Sequence, residues 1–285
     1  MGRYLRLLLL MMIAGQLFSA SVKRDIEYGR ADSAPLLLDA FRPDGEGPFP
    51  AVIIVHGGGW IGGHREHSVQ PLFEPLAKAG FAWFSISYRL ATNFLQFGVA
   101  VDDVQTAIDH VREHAREYNI DPNRIAVLGE SAGAHLASLA VERSPRSVAA
   151  IVALYPPSDL VSLAQNAHSI PESIRQAVRA VGMEELILGY LREMSPIEHV
   201  KPGLPPFLLV HGTQDRIVPY DQSKRMLAKL RGSGVEAELV TIDGGGHGLR
   251  GWEMSTKFAA YRGRIIDWLR LRLIPAQDRA MTQAY

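Results

Sequence analysis

The sequence predicts an α/β protein with a mostly parallel central sheet and helices on both faces. Short apolar runs rich in Val, Ile and Leu alternate with longer amphipathic stretches. Near-continuous apolar runs are what strands buried on both faces require, and the alternation of strand with helix is how parallel strands are connected. The size agrees: 285 residues with 47% apolar content hold one large domain with a full core.

The first residues, MGRYLRLLLLMMIAGQLFSAS, have the layout of an export leader. Arg3 and Arg6 give a positive start, Leu7 to Ala14 an apolar centre, and Ser19 to Ser21 a small-residue end. The apolar run is shorter than the roughly 18 residues of a membrane-spanning helix. Residues 1–21 are therefore expected to be a signal peptide, with 22–285 as the exported domain, periplasmic or secreted, and with no stable membrane span once the leader is removed. The chain has no cysteine, which removes disulfides, thiolate metal sites and cysteine nucleophiles. A formal net charge of zero gives no reason to expect a nucleic-acid partner.

The expected strands are Leu36–Phe41, Ala51–Val55, Ala82–Ser87, Ile125–Leu128, Ala149–Leu154, Phe207–Val210 and Ala237–Ile242. Val101, Val104, Ile108, Val111 and Ala115 form one helical face, and Phe258, Tyr261, Ile265 and Trp268 another. Asp102 and Asp103 read as the acidic opening of the first of these helices, and Asp121-Pro122-Asn123 reads as a turn. Residues 156–206 break the rhythm with seven prolines and are expected to form a small cap over the strand ends, with a short helix around Ile174, Val178 and Val181.

Ligands of such sheets sit at the carboxyl ends of the strands. The motif HGGGWIGG, residues 56–63, lies at one of those ends. Gly57, Gly59 and Gly62 fit the dinucleotide spacing G-x-G-x-x-G, but WIGGHREHS is a poor helix start. The next strand also ends in Ser87, not in the acidic residue that a ribose needs.

Residues 129–133, G-E-S-A-G, lie between an expected strand and an expected helix. In that context the pattern makes Ser131 an exposed nucleophile on a tight turn, with Gly129 and Gly133 avoiding a collision of side chains. A serine hydroxyl needs a base, and the base needs an orienting acid. His247, after Ala237–Ile242, and Asp215, after Phe207–Val210, are the candidates, in the chain order serine, aspartate, histidine. The glycine loop then serves the oxyanion: Gly58, Gly59 and Ala132 are the expected N–H donors, and His56 ties the loop. Trp60 and Glu130 are expected to contribute to substrate binding. His64-x-x-His67 and His110-x-x-x-His114 are histidine pairs with no third ligand evident in the sequence, so no metal is expected.

HGGGW, DPNRIAVLGESAG, HGTQDRIVP and GGGHG together resemble the α/β-hydrolase superfamily, over about Pro50 to Gly248. More narrowly they are similar to secreted carboxylesterases of the acetyl-xylan and feruloyl esterase group. Ala134-His135 and Phe97-Gly98 depart from the Gly-His and Phe-Pro usual there. The resemblance implies an α/β-hydrolase fold and ester hydrolysis through an acyl-enzyme, without cofactor, on a small ester such as an acylated carbohydrate. An amidase or small peptidase with the same triad, and a non-catalytic binding protein of the same fold, are the alternatives.

Overall fold

The residues of one strand show how the core is divided. In FPAVIIV, Ala51, Ile53 and Val55 pack into one apolar cluster and Val52 and Ile54 into a second. That alternation is the period of two of a strand covered on both faces. The computed structural model describes residues 21–31, 34–92, 96–144, 148–166 and 184–279. The expected signal peptide lies outside the described residues apart from Ser21, and so does the expected helix around Ile174 to Val181.

Eight strands form one sheet in the order β1-β2-β4-β3-β5-β6-β7-β8. They are β1 (Ser21–Ala31), β2 (Ala34–Arg42), β3 (Phe49–Val55), β4 (Ala82–Ile86), β5 (Ile120–Glu130), β6 (Ala150–Leu154), β7 (Phe207–Gly212) and β8 (Ala237–Ile242). β1 and β2 pair antiparallel with each other, and β2 pairs antiparallel with β4. The other pairs are parallel. Every expected strand is present, and β1 is an addition.

Helices α1 (Phe73–Lys78), α2 (Phe97–Glu113), α3 (Ala115–Tyr118) and α4 (Ala132–Arg143) are followed by α5 (Leu160–Asn166), α6 (Glu184–Glu193) and α7 (Pro196–His199). Then come α8 (Asp221–Gly232), α9 (Leu249–Glu253) and α10 (Ala260–Leu273), with a last turn at Ala276–Arg279. Val104 and Ile108 of α2, Leu136 and Ala140 of α4, and Met226 and Leu230 of α8 cover one face of the sheet. Leu76 of α1 and Tyr261, Ile265, Trp268 and Leu269 of α10 cover the other.

Two sequence expectations change. α2 opens at Phe97, not at Asp102, and Asp103 is buried within it. Its carboxylate accepts the Arg89 backbone N–H at 2.8 Å and the guanidinium at 2.7 and 2.9 Å, which fixes the chain leaving β4. Asp121-Pro122-Asn123 does not stop the chain before a strand. Asp121 Oδ1 accepts the Asn123 N–H at 2.9 Å, and the segment forms an irregularity inside β5, where the pairing with β3 shifts register.

Candidate functional site

β5 delivers Ser131 onto a turn whose backbone no ordinary loop would hold. Ser131 has φ 50° and ψ −120°, a sparsely populated conformation that costs on the order of 1–3 kcal/mol. Its N–H is tied across the sheet to Leu154 O at 2.9 Å. A Cβ on Gly129 would lie 2.4 Å from Gly133 O, and one on Gly133 would lie 2.2 Å from Val55 O. Those contacts explain both glycines of G-E-S-A-G: the turn is pressed against itself and against the end of β3.

The loops after β7 and β8 bring the other two groups to the same edge. Ser131 Oγ is 2.9 Å from His247 Nε2, and His247 Nδ1 is 2.7 Å from Asp215 Oδ2. A carboxylate only accepts, so the imidazole proton sits on Nδ1 and Nε2 offers its lone pair to the serine hydroxyl. The Asp215 side chain is fully buried. Burial alone would raise its pKa. Hydrogen bonds from His211, His247 and the Val218 N–H outweigh that and hold the carboxyl well below the usual carboxylate range.

His211, four residues before Asp215, has no place in the reading of the sequence. It is fully buried, with Nε2 at 2.9 Å from Val218 O and 3.3 Å from Asp215 Oδ2. Because a carbonyl accepts, Nε2 carries the proton, and Nδ1 accepts from Ser223 Oγ at 2.7 Å. Asp215 Oδ1 accepts the N–H groups of Ile217 and Val218, both at 2.9 Å. The aspartate thus has donors on both oxygens besides the His247 ring.

The glycine loop is shaped by its carbonyls. Gly57 O accepts from His56 Nδ1 at 2.7 Å, and Gly58 O accepts the Gly62 N–H at 3.0 Å. In a trans peptide the N–H points opposite to the preceding C=O. The amides of Gly58 and Gly59 therefore face away from the loop's own interior. Gly58 has φ 121°, and a Cβ there would lie 2.1 Å from Gly62 O. The Ala132 N–H belongs to the first turn of α4, where amides have no partner within the helix. His56 is buried, which brings its pKa down to about 4, and it stays neutral while binding the loop.

Trp60 holds the far end of this loop. It has φ 65°, and its indole N–H reaches His135 Nδ1 at 3.1 Å. Its ring stacks on Phe97 with centroids 4.5 Å apart. His135 is fully buried and its pKa falls to about 4 through desolvation. Its Nε2 donates to Met194 O at 2.7 Å. The departures noted in the sequence, Ala134-His135 and Phe97-Gly98, thus flank the two side chains against which Trp60 packs.

Glu130 does not present its carboxylate to a substrate, which corrects the expectation from sequence. It is buried, with Oε1 3.3 Å from the Gly57 N–H and Oε2 2.5 Å from the Tyr155 hydroxyl. Both oxygens are engaged by the protein, and burial raises the pKa.

An eight-stranded, mostly parallel sheet that carries a serine on a strand-to-helix turn, with a histidine and a buried aspartate on two later loops, is the α/β-hydrolase fold. The chain belongs to the BD-FAE family, whose model matches residues 38–230; a model described as TAP-like protein matches residues 191–279. Esterase LipC of Mycobacterium tuberculosis is 32% identical over 247 residues, 79% of this chain and 59% of that protein. The probable isoprenylcysteine alpha-carbonyl methylesterase ICMEL1 of Arabidopsis thaliana is 32% identical over 81% of this chain and 52% of its own length. The chain thus spans somewhat more than half the length of these relatives. Among solved structures, the thermophilic esterase Est2 of Thermogutta terrifontis superposes with a TM-score of 0.71 at 25% identity, covering 92% of this chain and 96% of that one.

Proposed function

We propose that this chain is a serine carboxylesterase. The observation that carries the reading is the hydrogen-bonded series from Ser131 Oγ through His247 to Asp215, at 2.9 and 2.7 Å. Ser131 Oγ attacks the ester carbonyl while its proton passes to His247 Nε2. The N–H groups of Gly58, Gly59 and Ala132 receive the oxyanion. His247 then protonates the departing alcohol, leaving an acyl group on Ser131. Water attacks that acyl-enzyme with His247 again as base, and the acid is released. Asp215 stays ionised throughout and offsets the charge on the imidazolium. Its multiple hydrogen bonds support that role.

The acid released is proposed to be short. The relative Est2 has been solved with propionate and with butyrate bound. An acylated carbohydrate or an aryl ester is the proposed natural substrate class, and export through the N-terminal leader is proposed with it. Among the described residues no helix is long and apolar enough to cross a membrane.

The test is a substrate panel on the parent and on Ser131→Ala. It comprises p-nitrophenyl acetate and butyrate, acetylated and feruloylated sugars, and the anilide matched to the acetate. Hydrolysis of esters well above the anilide, abolished in Ser131→Ala, is the expected result. Preference for the anilide makes the chain an amidase. Ester hydrolysis that survives in Ser131→Ala overturns the proposal.

A further inference from the structure

The pair His64 and His67 gains a third ligand from the fold. The turn is closed by His67 N–H on His64 O at 3.2 Å. Arg65 points inward, buried, with Nε on Asp39 Oδ1 at 3.1 Å and Nη1 on Ser87 Oγ at 3.1 Å; the Arg65 carbonyl accepts from Ser85 Oγ at 2.6 Å. With its middle residue anchored in this way, the turn directs His64, Glu66 and His67 outward together. One ligand atom from each lies within 4.8 Å of the others.

We propose that His64, Glu66 and His67 form a binding site for a divalent transition-metal ion of the zinc class, outside the esterase site. Two imidazoles and a carboxylate are the donor set such ions take, and three protein ligands leave a position for water. His64 Nδ1 is 3.5 Å from Glu66 Oε2. Ligand atoms about 2.0–2.1 Å from a tetrahedral ion are about 3.3 Å apart, so this edge of the site is nearly formed. His64 Nδ1 also accepts the Glu66 N–H at 3.4 Å, a contact longer than an ordinary N–H hydrogen bond and one that a cation can displace. The other carboxylate oxygen, Oε1, is held by Arg24 Nη1 at 2.5 Å. Such an outer partner fixes the direction in which Oε2 is offered. His67 is exposed and closes the remaining distance by rotating its side chain.

The second histidine pair shows the contrast. His110 and His114 stack at 4.2 Å, but His110 Nε2 is taken by Tyr118 Oη and His114 Nδ1 by His110 O, both at 2.9 Å. Those two ligand atoms are engaged at ordinary hydrogen-bond distance, closer than the 3.4 Å contact at His64 Nδ1.

The experiment uses the full chain without a histidine tag. Co²⁺ is titrated while its visible absorption is followed, and the Tm is measured with and without Zn²⁺. Parent protein is expected to bind a single ion per chain and to gain Tm with Zn²⁺. His67→Ala and Glu66→Gln are each expected to weaken binding by about tenfold or more, while His114→Ala binds as the parent does. Glu66→Gln keeps the shape of the side chain, and circular dichroism of each variant confirms that it is folded. Absence of saturable binding, or binding that persists in both His67→Ala and Glu66→Gln, overturns the proposal. So does binding lost in His114→Ala. None of these readouts depends on ester hydrolysis, so the result stands apart from the proposed activity.

Discussion

The Tyr155 hydroxyl donates to Glu130 Oε2 at 2.5 Å. The same phenolic oxygen accepts the Leu249 N–H at 3.1 Å, and Glu130 Oε1 takes the Gly57 N–H. One buried chain of hydrogen bonds therefore joins the end of β6, the residue before Ser131, the glycine loop and the loop that carries His247. The Tyr155 ring also meets the His247 ring edge-on, with centroids 4.7 Å apart. Tyr155 has φ 40°, a strained conformation held by this enclosure.

Tyr155→Phe keeps the ring and removes only the hydroxyl. It leaves Glu130 Oε2 and the Leu249 N–H without their partner inside the protein. The expected loss of stability is about 1–3 kcal/mol. Urea unfolding measures it. A fall in kcat for p-nitrophenyl acetate larger than any change in KM is expected alongside, because the substitution loosens the mounting of His247 and not the substrate pocket.

Asp215→Asn tests the orientation of His247. The amide can present N–H where Oδ2 now accepts, which favours the wrong tautomer of the imidazole. A fall in kcat of about 10⁴-fold is expected, with the fold retained. Steady-state kinetics with a short-chain ester checks this, and a loss under tenfold contradicts the role given to Asp215.

Gly58→Ala tests the oxyanion loop. Its φ of 121° and the 2.1 Å approach of a Cβ to Gly62 O mean that the loop must move to accept even a methyl group. The expected result is a kcat lower by about 10²–10³-fold, as for loss of one oxyanion donor. A thermal unfolding curve close to that of the parent separates this from misfolding.

Much of this arrangement was legible in the sequence, for physical reasons. β3, β4, β6 and β7 are buried along nearly their whole length because helices cover both their faces, so a run such as Ala51–Val55 announces itself. G-E-S-A-G was readable because the turn tolerates nothing larger at Gly129 and Gly133. β1 was not, since SVKRDIEYGRA has no continuous apolar run: it lies at the sheet edge and pairs on one side only, with its sequence neighbour β2. Glu130 reads as a residue beside the nucleophile. Only the pairing of Glu130 with Leu154 across β5 and β6 shows that Tyr155 lies within its reach. His211 stands in HGTQD, four residues before the acid, yet nothing in the spacing says that both rings will meet one carboxylate. Glu66 lies between His64 and His67, and it takes the inward turn of Arg65 to bring the three outward together.

Glu142 gives a prediction about pH. It is buried on α4, and neither carboxylate oxygen has a hydrogen-bond partner among the described residues. Desolvation raises its pKa well above 4.5, against the attraction of Lys201 and Arg143. The folded chain therefore keeps this proton to higher pH than the unfolded chain does. Stability from this group falls as pH rises from about 4.5 towards the raised folded value. Glu142→Met removes the cost. Its gain in stability over the parent is expected to be small near pH 4 and to grow to about 1–3 kcal/mol towards pH 8. Urea unfolding at both pH values measures it, and a gain independent of pH contradicts the assignment.

On the proposed function, Ser131 is a nucleophile activated by His247. The direct measurement is covalent labelling with paraoxon, followed by mass spectrometry of the proteolysed chain. One diethylphosphoryl group on the peptide that contains Ser131, formed far more slowly in His247→Ala, is the predicted result. An unlabelled Ser131, or labelling that proceeds equally fast without the imidazole of His247, contradicts it.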